Sequence, residues 1–400
     1  MRLVPPIPTE AGSRPACTSA RSDTCPDSKE LASREGSSQR LVSLDVLRGL
    51  TLIGMIVVNS AAALENSMRT FAVLLHSQWE GFTVADSVFP AFLFVAGVSI
   101  PLALRREAQQ PASQQNTLHI LQRSLILILL GFLLHNLGSL ADFSRPLRPF
   151  GVLQRIGLVY GICAFLFLRT ESRIRLIMIP ILLLGYWALL YVPSPDGLAT
   201  DLWHRGHNFA AGFDRLVLGD HRYVKGPEGY DPEGPLGDIP SVAHCLIGVA
   251  VGEYIRKNRG SSAAVKLVVV GLLMAAAGAC WGYILPVVKS MWTPSFVILS
   301  CGLTMAVLGV MHALLDNRET TGSKPLLPFC LAFGINSILA YTLHVLASGI
   351  LSADLFTVPY ASLAPLIGGQ VAELVPILTF LILIWLPLEY LRRKRWIVKI

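Results

Sequence analysis

The chain has 400 residues, of which 53% are hydrophobic and only 15% are charged, and its mean hydropathy is +0.56. Soluble domains carry about a quarter charged residues, so this balance excludes an ordinary soluble protein and predicts a polytopic membrane protein. The net charge of +7 does not indicate nucleic-acid binding, because the basic residues lie in short clusters between apolar runs and form no aromatic-rich basic face.

The chain begins with a polar leader, residues 1–39, rich in Ser, Pro and Thr. It lacks the apolar core of a signal peptide, and we expect it to be disordered. Residues 40–400 are then expected to form one transmembrane domain.

About ten apolar runs follow the leader, most of them near the roughly 20 residues that a helix needs to cross a bilayer. They predict an all-α, polytopic membrane helix bundle. A long loop at 193–240, rich in Gly, Pro, Asp, His and aromatic residues, separates the fifth and sixth spans and is the one connection large enough to shape a site. The predicted spans are 44–64, 84–104, 118–139, 150–168, 174–192, 241–255, 264–287, 293–315, 327–350 and 366–391.

Basic clusters predict the orientation of these spans, since Lys and Arg are enriched in cytoplasmic loops. With ten spans, the clusters at 105–106, 169–175, 256–259, 318–324 and 392–395 all fall on one side. Both termini are therefore expected to be cytoplasmic, with the long loop and His76 on the opposite face. No tandem repeat is visible, which disfavours an inverted-repeat transporter.

The segment HSQWEGFTVAD, immediately before the second span, gathers unusual chemistry for a membrane boundary. His76 can accept and return a proton near neutral pH, or carry an acyl group, although a lone interfacial histidine is more often a polar anchor. Thr83 and Asp86 fit the Thr-x-x-acid capping pattern. The same carboxylate can also orient His76. Trp79 suits an interfacial belt or contact with a sugar ring.

Other polar residues lie inside or beside the predicted spans. Each either has a functional role or makes an interhelical hydrogen bond that is only structural. Asn59 lies late in the first span, and Arg155 lies one turn into the fourth, where it needs a partner or a water-filled cavity. Asn336 and His344 are eight residues apart in FGINSILAYTLH, which predicts one helix face. The acids Asp231 and Glu233 precede the sixth span.

Seven cysteines show no metal-ligand spacing, and we expect no metal. Those in the apolar segments suit small buried hydrophobes.

Several segments, in this order, resemble the heparan-α-glucosaminide N-acetyltransferase family of transmembrane acyltransferases. The resemblance runs from about Arg40 to the tenth span and implies that the family's catalytic histidine is His76, its first-span asparagine Asn59 and its following carboxylate Asp86. Glu80 departs from the family's Trp-Asn-Gly and puts a charge beside the base. The segments are SLDVLRGLTLIGMIVVN, HSQWEGFTVADSVFPAFLFVAGVSI, GVLQRIGLVYGICA, YDPEGPLGDIPSVAHCLIGVAVGEYI, WTPSFVILSCG and FGINSILAYTLH.

The resemblance implies transfer of an acetyl group from cytoplasmic acetyl-CoA to a glucosamine-like amino sugar across the membrane, with acetyl-CoA as co-substrate. His76, Asp86 and Asn59 would be catalytic. The large lumenal region of the animal enzymes is missing, so we expect a bacterial inner-membrane protein with an acceptor other than heparan sulfate. The partners implied are lipid bilayer, acetyl-CoA and sugar acceptor; a homodimer is left open. The predicted substrate-binding residues are Trp79, Glu80, Arg155, Asp231, Glu233, Asn336 and His344.

Three questions stay open at this point. The first is whether the acceptor is an amine or the hydroxyl of a cell-wall or exopolysaccharide sugar. The second is whether the acetyl group passes directly or through an acetyl-histidine. The third is whether the chain is instead a transporter whose buried polar residues line a path, since a purely structural scaffold would leave those residues unexplained.

Overall fold

The computed structural model describes residues 2–4, 41–64, 70–105, 107, 114–142, 145–258, 260–316 and 326–399. In this part of the chain the fold is built from α-helices, which confirms the predicted all-α class. Of the predicted leader, only Arg2–Val4 is described. This strand, β1, pairs antiparallel with β2, Ile397–Lys399, so that Arg2 lies opposite Lys399. The remainder of 1–39 lies outside the described residues.

The helices follow one another in chain order. They are α1 (Val42–Leu64), α2 (Val84–Ala103), α3 (Gln114–His135), α4 (Leu137–Ala141), α5 (Val152–Arg169), α6 (Ser172–Leu190), α7 (Phe209–Leu218), α8 (Asp238–Lys257), α9 (Ser261–Trp281), α10 (Pro294–Leu315), α11 (Leu326–Ile335), α12 (Ser337–Ala347), α13 (Asp354–Ile367), α14 (Gly369–Ala372) and α15 (Leu374–Arg393).

Nine helices of the described chain are long and apolar enough to cross a membrane, and the number is ten if the bent pair α11 and α12 forms one span. Their positions agree with the predicted spans to within a few residues at most ends. The long loop, 191–237, holds the short helix α7 and therefore is not irregular throughout. Residues 351–365, expected to be a connection, instead contain most of the apolar helix α13.

The predicted single span 327–350 is wrong in shape, because α11 and α12 are bent by 86° at Asn336. The side chain of Asn336 donates to Trp396 O at 3.2 Å and accepts from Val398 N at 2.9 Å. These contacts tie the break to the C-terminal strand. Asn336 thus belongs to neither helix, and the predicted continuous face from Asn336 to His344 does not exist.

The core of the bundle is formed by α1, α2, α5, α8 and α10, whose inward faces are buried. α2 and α8 pack at very close range: a Cβ added at Gly97 would lie 2.3 Å from Cys245 O, and one at Gly248 would lie 2.4 Å from Phe94 O. Small residues at such crossings let membrane helices approach backbone to backbone. This packing fixes α2, which carries Asp86.

Alternate connections meet at the same end of the bundle. Gly81 N donates to Val287 O at 3.0 Å, and Trp79 Nε1 donates to Leu202 O at 3.0 Å. These contacts bring together the 70–83, 191–237 and 282–293 connections, and we call this end the site end. The opposite end carries the described residues of the basic clusters, among them Arg105, Arg173 and Arg392, and we call it the basic end. A second apolar cluster, separate from the main core, lies beneath the long loop at the site end.

Candidate active site

His76 and Asp86 form the centre of the site. His76 lies in the turn before α2, and its Nδ1 is 2.9 Å from Asp86 Oδ1. The His76 side chain is 42% exposed whereas that of Asp86 is 1% exposed. A buried carboxylate that accepts from Nδ1–H fixes the ring orientation and leaves Nε2 with its lone pair.

The capping box predicted from the sequence is present and holds Asp86 in place. Thr83 caps α2, its hydroxyl oxygen accepts from Asp86 N, and Asp86 Oδ2 accepts from Thr83 N at 3.1 Å. The same Oδ2 accepts from Ser77 N at 3.1 Å. One carboxylate therefore closes the helix start with one oxygen and orients the imidazole with the other, so both interpretations of Asp86 hold as geometry.

Lys289 completes this cluster and was missed by sequence reasoning. Its Nζ lies 3.0 Å from Nδ1 and 3.3 Å from Nε2 of His76, and 3.7 Å from Asp86 Oδ1. Burial lowers the pKa of the Lys289 ammonium below that of an ordinary lysine, while the carboxylates of Asp86 and Glu233 offset part of the effect. The available signal was a lysine in a connection otherwise poor in basic residues.

The turn that carries Lys289 is held by buried hydrogen bonds. The Thr293 hydroxyl accepts from Val288 N at 3.1 Å and donates to Pro286 O at 2.9 Å. Tyr186 donates its hydroxyl hydrogen to Met291 O at 2.8 Å. Lys289 is therefore presented by a fixed turn rather than by a loose loop.

Trp292 ends this turn with φ 52°, a left-handed conformation that is uncommon for a bulky residue. Its ring is buried and packs edge-on against Phe89 and His244, with centroid distances of 5.5 and 5.2 Å. Burial of an indole repays a backbone cost of about 1–3 kcal/mol. The packing of the ring thus holds the Trp292 backbone in this left-handed conformation.

Arg155 lies under the long loop, and its guanidinium is fully engaged with protein. Nε donates to Asp238 Oδ1 at 3.0 Å, and the two terminal nitrogens donate to Pro232 O and Gly234 O at 3.1 and 2.9 Å. Arg155 therefore has the partner that an arginine in a span requires. Its predicted contact with substrate stays a prediction.

Asp231 and Glu233 are held by Arg148, which the sequence did not single out. Arg148 binds Asp231 through two hydrogen bonds of 3.2 and 2.8 Å and also pairs with Glu233. Burial raises the pKa of Glu233, but the Arg148 and Arg155 charges outweigh it and leave the pKa below its ordinary value. The two acids close the end of the long loop onto the bundle.

Trp79 is buried in the apolar cluster beneath the long loop, at 8% exposure. Its ring meets Tyr230 edge-on at 5.4 Å. The Trp79 ring therefore packs inside the protein and does not face lipid in an interfacial belt. Its contact with a sugar stays a prediction. Glu80, next in the chain, is exposed at the same end as His76.

Asn59 also lies at the site end, but its hydrogen bond is to another residue. Its Nδ2 is 3.2 Å from Nε2 of His344, a buried residue of α12. The predicted roles of Asn59 toward His76 and of His344 toward substrate stay predictions. Asn336 is bound to the C-terminal strand at the basic end, so the structure does not bring it to this cluster.

In the described part of the chain, no group of three or more His, Cys, Asp or Glu side chains is arranged to hold a metal ion. The titratable side chains described around His76 are an imidazole, a carboxylate and an ammonium. Such groups serve proton transfer and acyl transfer.

The fold and this cluster define a polytopic all-α membrane protein with a histidine–carboxylate–lysine cluster at one end of its bundle. The family model "Heparan-alpha-glucosaminide N-acetyltransferase, catalytic" matches residues 40–203. The chain belongs to the heparan-α-glucosaminide N-acetyltransferase family, as predicted from its sequence.

Two curated relatives extend the match beyond that model. Heparan-alpha-glucosaminide N-acetyltransferase of Mus musculus is 30% identical over 384 residues, covering 81% of this chain and 56% of the relative. The protein of the same description from Homo sapiens is 31% identical over 362 residues, covering 76% and 52%. The chain thus spans just over half the length of these relatives.

Proposed function

We propose that the chain is a membrane-bound acetyltransferase that moves an acetyl group from acetyl-CoA to the amine of a glucosamine-like sugar. The observation that carries the proposal is the 2.9 Å contact between His76 Nδ1 and Asp86 Oδ1. It lies within the segment that the family's catalytic model matches. The names of the two relatives support an aminosugar acceptor and an N-acetyl product.

The reaction needs one base. As the acceptor nitrogen attacks the thioester carbonyl, its proton passes to Nε2 of His76; the C–N bond forms and the C–S bond breaks. The thiolate of coenzyme A leaves and accepts this proton from Nε2 of His76. Asp86 holds the ring and stabilises the imidazolium in between. The same lone pair also suits a two-step route through acetyl-histidine, in which Nε2 attacks first.

Lys289 and Asn59 have supporting roles in this proposal. The Lys289 ammonium lies 3.3 Å from Nε2 and donates to it until the acceptor amine arrives. It is then placed to stabilise the oxyanion that develops on the thioester carbonyl. Asn59 would supply a second donor after exchanging its His344 partner.

In this mechanism the basic end faces the cytoplasm, as the distribution of Lys and Arg along the sequence predicts. Acetyl-CoA then approaches from the basic end and the sugar from the site end. The pantetheine arm must reach His76 through a polar path in the bundle, and this path stays a prediction.

The test is an assay with labelled acetyl-CoA and purified protein in detergent, offered glucosamine, its N-acetylated form and neutral hexoses. We expect label in glucosamine only. Label in neutral sugars would favour an O-acetyltransferase instead. Protein without acceptor should retain label on His76 only if an acetyl-histidine forms.

The same protein in sealed vesicles tests sidedness. Acetyl-CoA inside and glucosamine outside should give product outside. Uptake of free glucosamine without acetyl-CoA, and no acetylation, would indicate a transporter and contradict the proposal.

A further inference from the structure

Arg123, on α3, lies well along the bundle axis but is exposed at the bundle surface, and it has no acidic partner among the described residues. Its guanidinium stacks over Tyr160 of α5 at 4.7 Å, and Tyr160 is eight or more residues, roughly 12 Å, from either end of that helix. None of the arginine ion pairs in the described chain includes Arg123. An arginine exposed to lipid at this position is stabilised by an anionic or polar partner.

A cavity of about 330 Å³ lies beside this guanidinium, toward the basic end. This volume falls in the range of small-ligand sites. Its lining is rich in hydrogen-bond donors and includes one acid, Glu107, whose Oε2 is buried without a partner. The polar lining residues are Glu107, Asn116, His119, Gln122, Arg123 and Tyr160.

The α3 side of the cavity lies at the surface of the bundle, because His119, Gln122 and Arg123 are all exposed. Ile126, which also lines the cavity, is 46% exposed. In a membrane, such an exposed apolar side chain contacts acyl chains. The occupant of the cavity therefore enters from the lipid, with apolar chains against Ile126 and a polar head toward Arg123.

We propose that this cavity binds the headgroup of a phospholipid that carries both a phosphate and a primary ammonium, as in phosphatidylethanolamine. Arg123 would hold the phosphate, because its planar fork matches phosphate oxygens. Glu107 would accept from the ammonium with its unpartnered oxygen. The site is separate from the His76 cluster at the other end of the bundle.

The experiment is native mass spectrometry of delipidated protein titrated with phosphatidylethanolamine, phosphatidylglycerol and phosphatidylcholine. We expect the ethanolamine lipid to bind tightest, and Arg123→Ala to weaken its binding about tenfold or more. Lys266→Ala is the matched control, since Lys266 is an exposed cation on α9 near the same end. Arg123→Gln replaces the alanine variant if that one does not fold.

Glu107→Gln tests the second contact and should remove the preference for ethanolamine over glycerol headgroups. Equal loss in the Arg123 and Lys266 variants would overturn the site, as would tighter binding of the glycerol lipid to the unmodified protein. Displacement of the lipid by soluble coenzyme A or inorganic phosphate would assign the cavity to a free phosphate instead. None of these readouts depends on acetyl transfer.

Discussion

The ring of His76 is oriented by Asp86, which lies ten positions later in the chain. The Thr-x-x-Asp pattern predicted the cap on α2, and the cap carboxylate meets the imidazole as expected. Lys289 escaped prediction because its contact spans 213 residues of sequence. A local sequence pattern therefore predicts the contact between Asp86 and His76. The contact between Lys289 and His76 forms only because two distant connections meet in the folded protein.

Asp86→Asn should lower kcat on the order of 100-fold while α2 stays capped. The amide oxygen still accepts from Thr83 N, but the neutral side chain no longer stabilises an imidazolium or fixes the ring. The measurement is the rate of acetyl transfer in detergent. Asp201→Asn is the control, because Asp201 forms an exposed pair with His204 at 2.5 Å. Equal loss in both variants would separate Asp86 from the chemistry.

We expect activity to be lost at alkaline pH when Lys289 loses its charge. Because burial lowers the pKa of this ammonium, the charge is lost at lower pH than in an ordinary lysine. Activity should therefore decline as pH rises through that lowered pKa. Lys289→Arg keeps the charge at every accessible pH and should shift the decline upward, as measured by kcat/KM between about pH 6 and 10. An unchanged alkaline limb in the arginine variant would contradict the role of Lys289.

At the scale of elements, hydropathy located most spans but not their shape. Apolar composition is the same for a straight helix and for a bent pair, so the 86° break at Asn336 gave no signal. Its cause is a side-chain amide bound to backbone 60 residues away. The helix α13 was missed because it is only 14 residues long and contains Pro359 and Pro365, features that are also typical of a connection.

Arg155 joins α5 to the long loop, and its replacement should act on stability first. Arg155→Met leaves Asp238 buried without its cation, at a cost of about 3–5 kcal/mol. The measurement is thermal unfolding in detergent. Arg393→Met, which removes an exposed partner of Glu389, should have little effect. A raised KM with unchanged stability in Arg155→Met would instead make this residue a substrate contact.

At the scale of the whole molecule, composition and hydropathy predicted the fold class and resemblance predicted the family. What they could not predict is how the connections interlock at the site end. The second apolar cluster draws residues from the 70–83 turn, α6, the long loop and the 282–293 turn. No periodicity in one segment encodes such an assembly.

Asp214, inside the long loop, links overall stability to pH. Burial raises its pKa to about 7. The folded state then binds more protons than the unfolded state between roughly pH 4 and 7, so stability should fall as pH rises through this window. Asp214→Asn should flatten the dependence, as measured by unfolding midpoints at pH 5 and 7.5. An identical slope in both proteins would contradict this assignment.

The most direct test of the account compares two histidine variants in the acetyl-CoA assay. His76→Ala should abolish transfer to glucosamine, while His204→Ala, which alters the exposed His–Asp pair of the long loop, should retain near-normal turnover. Both proteins should elute and unfold like the parent. Substantial turnover by folded His76→Ala protein would contradict the central claim that this imidazole carries out the transfer.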